Sequence, residues 1–438
     1  MALVLGVMVL VHEWGHFIVA RLFGVRVDVF SIGFGPRLFG WRWGQTDWRL
    51  SALPLGGYVR MAGQDLSEVD SSTVAPTGAS DEVMSKPRWQ RALISLAGPA
   101  VNLVMPIILL GGFYIIKGDP YPSFFDKAPV IASMAAKDPL AKLDVAKGDK
   151  IVDINGVPTP SWEKAAQALA QIPPEASGRM TLERNGVTHS VQFTGKQLVE
   201  AEAPGRYFPI EPVIGTLSPG LGAMRAGMKR GDRIVSVNGK EISTFPDFRD
   251  FIVNSDGSPL ETVVNRNGKI LNLKLTPESI PDEDGKVAFR LGLAADDHLS
   301  YKKMGVGESI KNSTLATGAG IKQLLLVVGK LFSGQQSVKQ LLGPVGIANI
   351  SGQAVQAGAF AVINLMAMIS LNLGILNLLP IPILDGGHIL LLSIEGIMRR
   401  DLSLAFKERF VQVGLVFLFV LFSIVMYYDV SKLLPTHG

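Results

Sequence analysis

The 438-residue chain contains no cysteine, which excludes disulfides, thiolate zinc sites and cysteine nucleophiles. Charge is scarce as well: Asp, Glu, Lys and Arg make up 18% of residues, against 47% hydrophobic ones. An ordinary soluble domain carries about 25% charged residues, so the deficit points to membrane spans. No long Lys/Arg run occurs, and a net charge of +4 is better explained by anchoring charges beside spans than by nucleic-acid binding. The N-terminus also lacks a basic leader, and its apolar stretch holds His and Glu. Residues 1–21 therefore read as a retained membrane helix, not a cleaved signal peptide.

Histidine is rare too, with six in the chain, yet two stand in His12-Glu13-Trp14-Gly15-His16 inside that apolar segment. On a helix, positions i and i+4 share a face, so both imidazoles can grip one zinc ion. Glu13 beside them is placed to take a proton from a water at the metal. Ionisable groups are costly in hydrocarbon, so such a cluster marks a functional site. A catalytic zinc takes three protein ligands. The third candidate is Asp385, the only acidic residue between Glu308 and Glu395. Pro380 and Pro382 precede it and Gly386 and Gly387 follow it. Irregular backbone at membrane depth is tolerated only in buried or cavity-lining positions. A helix cap is the alternative role for Asp385. His388 offers an extra ligand but is better assigned a supporting or packing role, and His189, His298 and His437 read as surface residues. Asn102 and Asn377 lie within apolar spans, where they can bond a neighbouring helix or hold an unwound substrate backbone.

Four membrane helices are expected, over 1–21, 92–116, 354–392 and 410–428. The loop 22–91 holds many arginines, and Arg399, Arg400, Lys407 and Arg409 lie between the last two spans, whereas the C-terminal tail has only Lys432. Both loops are thus expected in the cytoplasm, with both termini and the long segment 117–353 outside. Trp41-Arg42-Trp43, Gly44-Gln45 and Thr46 to Leu50 read as a β-hairpin dipping towards the membrane near the metal. A merely structural interfacial hairpin fits the same residues. The outer segment repeats itself: residues 148–156 match 231–239, and Arg184-Asn185-Gly186 matches Arg266-Asn267-Gly268. Two small β-rich domains, over 125–200 and 205–278, follow. Their pattern resembles PDZ domains, which take a peptide as an added strand. Gly215 to Gly227 looks more like a carboxylate-binding loop than Ala132 to Val145 does; spacers with degenerate grooves are the alternative. Residues 304–335 suit an amphipathic helix on the membrane surface, although Gly318, Gly320 and Gly329 weaken that reading.

The fold class is therefore a polytopic α-helical membrane protein: four transmembrane helices, a membrane-associated β-hairpin, and two β-rich PDZ-like domains inserted between the second and third spans. The motifs together resemble the site-2 protease family of intramembrane zinc metalloproteases, over nearly the whole chain. They are His12-Glu-x-x-His16, Gly33-Phe-Gly-Pro36, Pro54-Leu-Gly-Gly-Tyr58, Ala97-Gly-Pro99 with Asn102, the PDZ-like pair, and Asn377-x-x-Pro380 through Leu384-Asp385-Gly386. The resemblance implies Zn2+ bound by two His and an Asp, a Glu base, and single-span transmembrane substrates in the bacterial inner membrane. Membrane-bound anti-sigma factors and remnant signal peptides are the implied substrate classes, with the outer pair as a size filter. Trp41, Trp43, Asn102 and Asn377 are the expected substrate contacts. One departure is that eleven residues precede His12, fewer than is usual in the family. Two rivals remain. A PDZ scaffold without catalysis leaves the four ionisable residues unexplained, and a zinc transporter needs polar residues along more spans. The sequence leaves the oligomeric state open.

Overall fold

The computed structural model describes residues 2–63, 77–135, 137–218, 220–281, 287–296, 298–334 and 343–431; His437 and Lys432 lie outside them. The chain forms two compact units, Met1–Asp119 with Lys303–Gly438, and Pro120–Lys302.

The first unit opens with α1 (Ala2–Leu22), then β1 (Val27–Trp43), β2 (Thr46–Met61) and α2 (Arg88–Ile116). The hairpin turns at Gly44-Gln45 as its sequence suggests, but it is far longer than the Trp41–Leu50 segment that announced it. Residues 29–32 lie against both 47–50 and 57–60, so the strands bend into a small sheet. Phe30 and Trp48 of this sheet meet Trp14 and Phe17 of α1, with ring centroids 5.2 to 5.8 Å apart. That aromatic cluster fixes the first helix beside the sheet. Gly15 lets α1 cross α2 closely, since a Cβ there would stand 2.6 Å from the Ala97 carbonyl oxygen.

The second unit starts at β3 (Asp119–Pro122) and holds two lobes. The first lobe contains β4 (Lys150–Ile154), β5 (Val157–Pro158), α3 (Trp162–Ala170), β6 (Ser177–Arg184), β7 (Val187–Thr194) and the short α4 (Gly195–Glu200). The second contains β8 (Ile214–Leu217), α5 (Gly222–Arg225), β9 (Arg233–Val237), β10 (Lys240–Glu241), α6 (Phe245–Val253), β11 (Leu260–Arg266) and β12 (Lys269–Leu275). It closes with β13 (Glu278–Pro281), β14 (Val287–Arg290) and β15 (Leu293–Ala295), and β16 (Leu299–Lys302) then pairs back to β3. The sheet orders β5-β4-β6-β7 and β10-β9-β11-β12 correspond position for position. Trp162 and Leu182 centre one core, Phe248 and Val264 the other.

The repeated signatures now have a physical reading. Arg184 grips the buried Asp149 with two bonds of 2.6 and 2.8 Å. Arg266 grips the buried Asp232 with bonds of 2.6 and 2.7 Å. Burial opposes the charge of each carboxylate, but the arginine and a backbone N–H outweigh it and hold both below the usual carboxylate range. The Asn-Gly pairs at 155–156, 185–186, 238–239 and 267–268 all have positive φ, as two-residue hairpin turns require.

The first unit resumes with α7 (Val306–Phe332), α8 (Pro344–Ala357), α9 (Ala359–Leu378), α10 (Asp385–Met398) and α11 (Leu404–Ser431). Two differences from the sequence reading stand out. Among the described residues five helices are long and apolar enough to cross a membrane, where four were expected, and the additional one, Val306–Leu331, falls where a surface helix over 304–335 was expected. Its Ser309, Ser313 and Thr317 are buried. Ser313 and Thr317 hydroxyls bond to carbonyls of their own helix, so they need no water, and Ser313 packs against Gly111 of α2. The stretch 354–392 is also not one span. It breaks at Gly358, with φ of 113°, and again over 379–384 around Pro380 and Pro382.

Candidate metal centre

The break between α9 and α10 ends at Ile383, whose φ of 77° is a strained conformation for a β-branched residue. Gly386 and Gly387 permit the sharp re-entry, because a Cβ on either would stand 2.3 Å from carbonyl oxygens of Leu378 and Ile381 respectively. The first residue of α10 is thereby aimed at α1. One Asp385 carboxylate oxygen lies 3.2 Å from His12 Nε2 and the other 3.4 Å from His16 Nε2. The two Nε2 atoms are 3.2 Å apart. His12 and His16 are 5% and 8% exposed.

Donors about 2.0–2.1 Å from a tetrahedral zinc stand about 3.3–3.4 Å from one another; the two Nε2 atoms are near that spacing, each carboxylate oxygen is near it from one ring, and one ligand atom from each residue lies within 4.8 Å of the others. His16 Nδ1 lies 2.8 Å from the Ile94 carbonyl, to which it donates its proton, leaving a lone pair on Nε2. That lone pair faces a second imidazole nitrogen across a short gap, an arrangement a cation resolves. The two imidazoles and the carboxylate therefore fit zinc. Gly98 of α2 makes the room: a Cβ there would meet His16 Nε2 at 2.3 Å and His12 Cε1 at 2.8 Å. The Ala97-Gly-Pro99 motif is thus a floor for the rings.

The centre opens on a cavity of about 760 Å³ lined by His12, Glu13, His16, Asn377, Asp385 and His388, among others. Glu13 is half-buried, and a Cβ on Gly57 would come within 3.6 Å of its Cγ. Asn377 Nδ2 lies 3.3 Å from His12 Nε2. His388 lies on the cavity wall and outside the cluster of ligand atoms.

Three of the expected substrate contacts, Asn102, Trp41 and Trp43, are not among the cavity-lining residues. Asn102 is fully buried, with its amide 3.1 Å from His12 Nδ1. Trp41 and Trp43 are 56% and 74% exposed near the hairpin tip, and neither lines the cavity. Long strands carry the tip away: eight residues at about 3.3 Å each separate Trp43 from Gly35, which does line it. Phe34, Gly35 and residues 58–61 are the sheet's cavity-lining residues instead.

Sequence reasoning also missed Glu395. It is 1% exposed and faces Lys407 at 3.0 Å and Arg91 at 3.6 Å, and all three line the cavity. The signal was charge of both signs at the ends of apolar helices. The Ile94 carbonyl left no signal, since any residue supplies one.

An i,i+4 histidine pair, a carboxylate from a broken helix and a neighbouring glutamate define a metallohydrolase centre within a set of apolar helices. Comparison with known proteins gives the family. Residues 1–421 match the family model for peptidase family M50. The chain is 31% identical to the regulator of sigma-E protease RseP of Escherichia coli (strain K12), over 98% of this chain and 97% of that one. The same protein of Salmonella typhimurium (strain 14028s / SGSC 2262) gives the same identity and coverage. A Neisseria meningitidis protein, whose name provisionally assigns it to the zinc metalloproteases, is 30% identical over 99% of both chains. The chain belongs to peptidase family M50, the site-2 protease family, and is a zinc-dependent metalloprotease.

Proposed function

We propose that this chain hydrolyses a peptide bond within or beside the transmembrane segment of single-span membrane proteins, with Zn2+ held by His12, His16 and Asp385. The observation that carries this reading is the convergence of those three ligand atoms within 4.8 Å of one another, on a cavity shared with Glu13. Zinc supplies Lewis acidity there, lowering the pKa of water and polarising a scissile carbonyl. Glu13 is the general base: it takes the attacking water's proton and returns it to the departing amine.

A helical substrate hides its carbonyls in its own hydrogen bonds, so it must unwind before cleavage. The freed backbone has two supports. The Asn377 amide can bond it at the metal, and an extended stretch can lie along Gly35 and residues 58–61 as an added strand. Trp41 and Trp43 then anchor the hairpin at the membrane interface.

The two lobes read as PDZ-like domains that exclude substrates with large outer domains. Relatives named as regulators of sigma-E support anti-sigma factors as substrates, and remnant signal peptides have the same single-span form. The arginine-rich ends of α1, α2 and α10 support a bacterial inner-membrane orientation with the lobes periplasmic and the metal centre towards the cytoplasm.

The test is cleavage of a single-span substrate by the full chain in detergent. Glu13→Gln is expected to lower the rate about 10²–10⁴-fold with zinc content unchanged. Cleavage by that variant at the wild-type rate overturns the mechanism.

A further inference from the structure

We infer that Asn102 is a positioning residue for the metal: its side-chain oxygen holds His12 in the tautomer that presents Nε2 to zinc. The inference rests on His12 being a zinc ligand, as proposed above. An imidazole that binds metal through Nε2 carries its proton on Nδ1 and needs an acceptor there. His16 finds one in the Ile94 carbonyl. His12 Nδ1 faces Asn102 at 3.1 Å.

Asn102 is 0% exposed, and its Oδ1 is buried with no hydrogen-bond partner while Nδ2 faces the ring. A buried amide oxygen without a donor costs about 1–3 kcal/mol. A half-turn of the amide removes that cost, since Oδ1 then accepts Nδ1–H of His12 and the ring lone pair turns to the metal. The two ends of an amide are told apart by such networks. An amide, unlike a carboxylate, can serve either tautomer by that half-turn.

The backbone holds this amide in place. Pro106 has no N–H, so the Asn102 carbonyl four residues earlier loses its helical donor. Ser370 of α9 supplies the replacement, its hydroxyl donating to Asn102 O at 2.8 Å. One residue of α2 thus joins α9 through its main chain and α1 through its side chain.

A residue that only joined helices would behave differently under substitution. Asn102→Leu keeps size and removes the acceptor. Asn102→Asp keeps the acceptor and strengthens it, but is the harsher change for mere packing because it buries a charge. The measurement is zinc affinity of the detergent-solubilised full chain, by competition with a chelator, with thermal unfolding alongside. Asn102→Leu is expected to bind zinc 10–100-fold more weakly, as loss of a ligand's bonding partner does. Asn102→Asp is expected to equal or exceed wild type. Ser370→Ala, which spares the amide, is expected to lie within threefold of wild type. Should Asn102→Leu match wild type, or Asn102→Asp bind as weakly as Asn102→Leu, the positioning role is wrong. His16→Ala separates the two levels: if it too retains zinc, the ligand assignment itself fails, whereas its loss beside a zinc-replete Asn102→Leu sinks only this inference.

Discussion

Asp149 and Asp232 are each held by an arginine and a backbone N–H of their own lobe. His12, His16 and Asp385 are held by groups from another helix, Ile94 and Asn102 of α2, and by one another. The β-rich unit therefore builds one clamp twice from nearby sequence. The helical unit builds one centre once, from segments joined only by folding. The lesson concerns tolerance. Each clamp sits beside a lobe core of buried hydrophobic side chains, while the metal centre depends on close approaches at Gly15, Gly98, Gly386 and Gly387.

The sharpest way to break that comparison is a single methyl group. Gly98→Ala places a Cβ 2.3 Å from His16 Nε2, on helix backbone that cannot retreat without moving α2. Zinc content should fall to a small fraction of wild type and cleavage by at least about 10²-fold. The unfolding transition of the β-rich unit should stay where it is. Full zinc occupancy in Gly98→Ala would show that α1 and α2 cross more loosely than they are drawn.

Smaller, and confined to one lobe, is loss of a clamp. Asp149→Asn or Asp232→Asn leaves a partly exposed arginine facing a neutral amide and should cost that lobe about 1–3 kcal/mol, read by chemical denaturation. The pair should add within about 0.5 kcal/mol, because each clamp lies inside its own lobe. Acid sharpens the point. Both carboxylates titrate below their usual range when folded, so the unfolded chain binds protons more readily. Their stabilisation is present at neutral pH and is lost as pH falls through and below about 3.9, the ordinary aspartate value. Each Asn variant should show a weaker acid dependence than wild type. An unchanged acid midpoint in the double variant would remove the clamps from the account of stability.

What could be read from residues alone follows the same division. The i,i+4 pair in His12-Glu13-x-x-His16 fixes a face, and a lone carboxylate beside two prolines fixes a break, so the centre was legible. So were the lobes, whose Gly-Asp and Arg-Asn-Gly strings are both ends of a clamp. Less legible were features that depend on what lies opposite. The packing of α7 is one, because nothing in its own residues reports that Gly111 waits across from Ser313. Asn102 could have faced substrate or a ring, and only the position of α1 decides. The length of the hairpin was hidden because its glycines, including Gly33 and Gly40 where neighbouring carbonyls approach within 2.6 and 2.3 Å of a Cβ, look like strand breakers.

The smallest expected effect separates the sheet's two ends. Trp43 is 74% exposed and lies near the turn, away from the cavity wall. An exposed indole there gains its energy from the membrane interface, not from contact with the scissile region. Trp43→Ala should leave kcat/KM for a detergent-solubilised substrate within about twofold, since no interaction made only in the transition state is removed. Tyr58 stands on the cavity wall and packs on Phe34 with ring centroids 6.1 Å apart. Tyr58→Ala should lower kcat/KM by more than Trp43→Ala if the extended substrate lies beside that wall as proposed. Equal losses at the two positions would mean that the hairpin tip folds back onto the substrate during cleavage, and that the wall and the tip act as one surface.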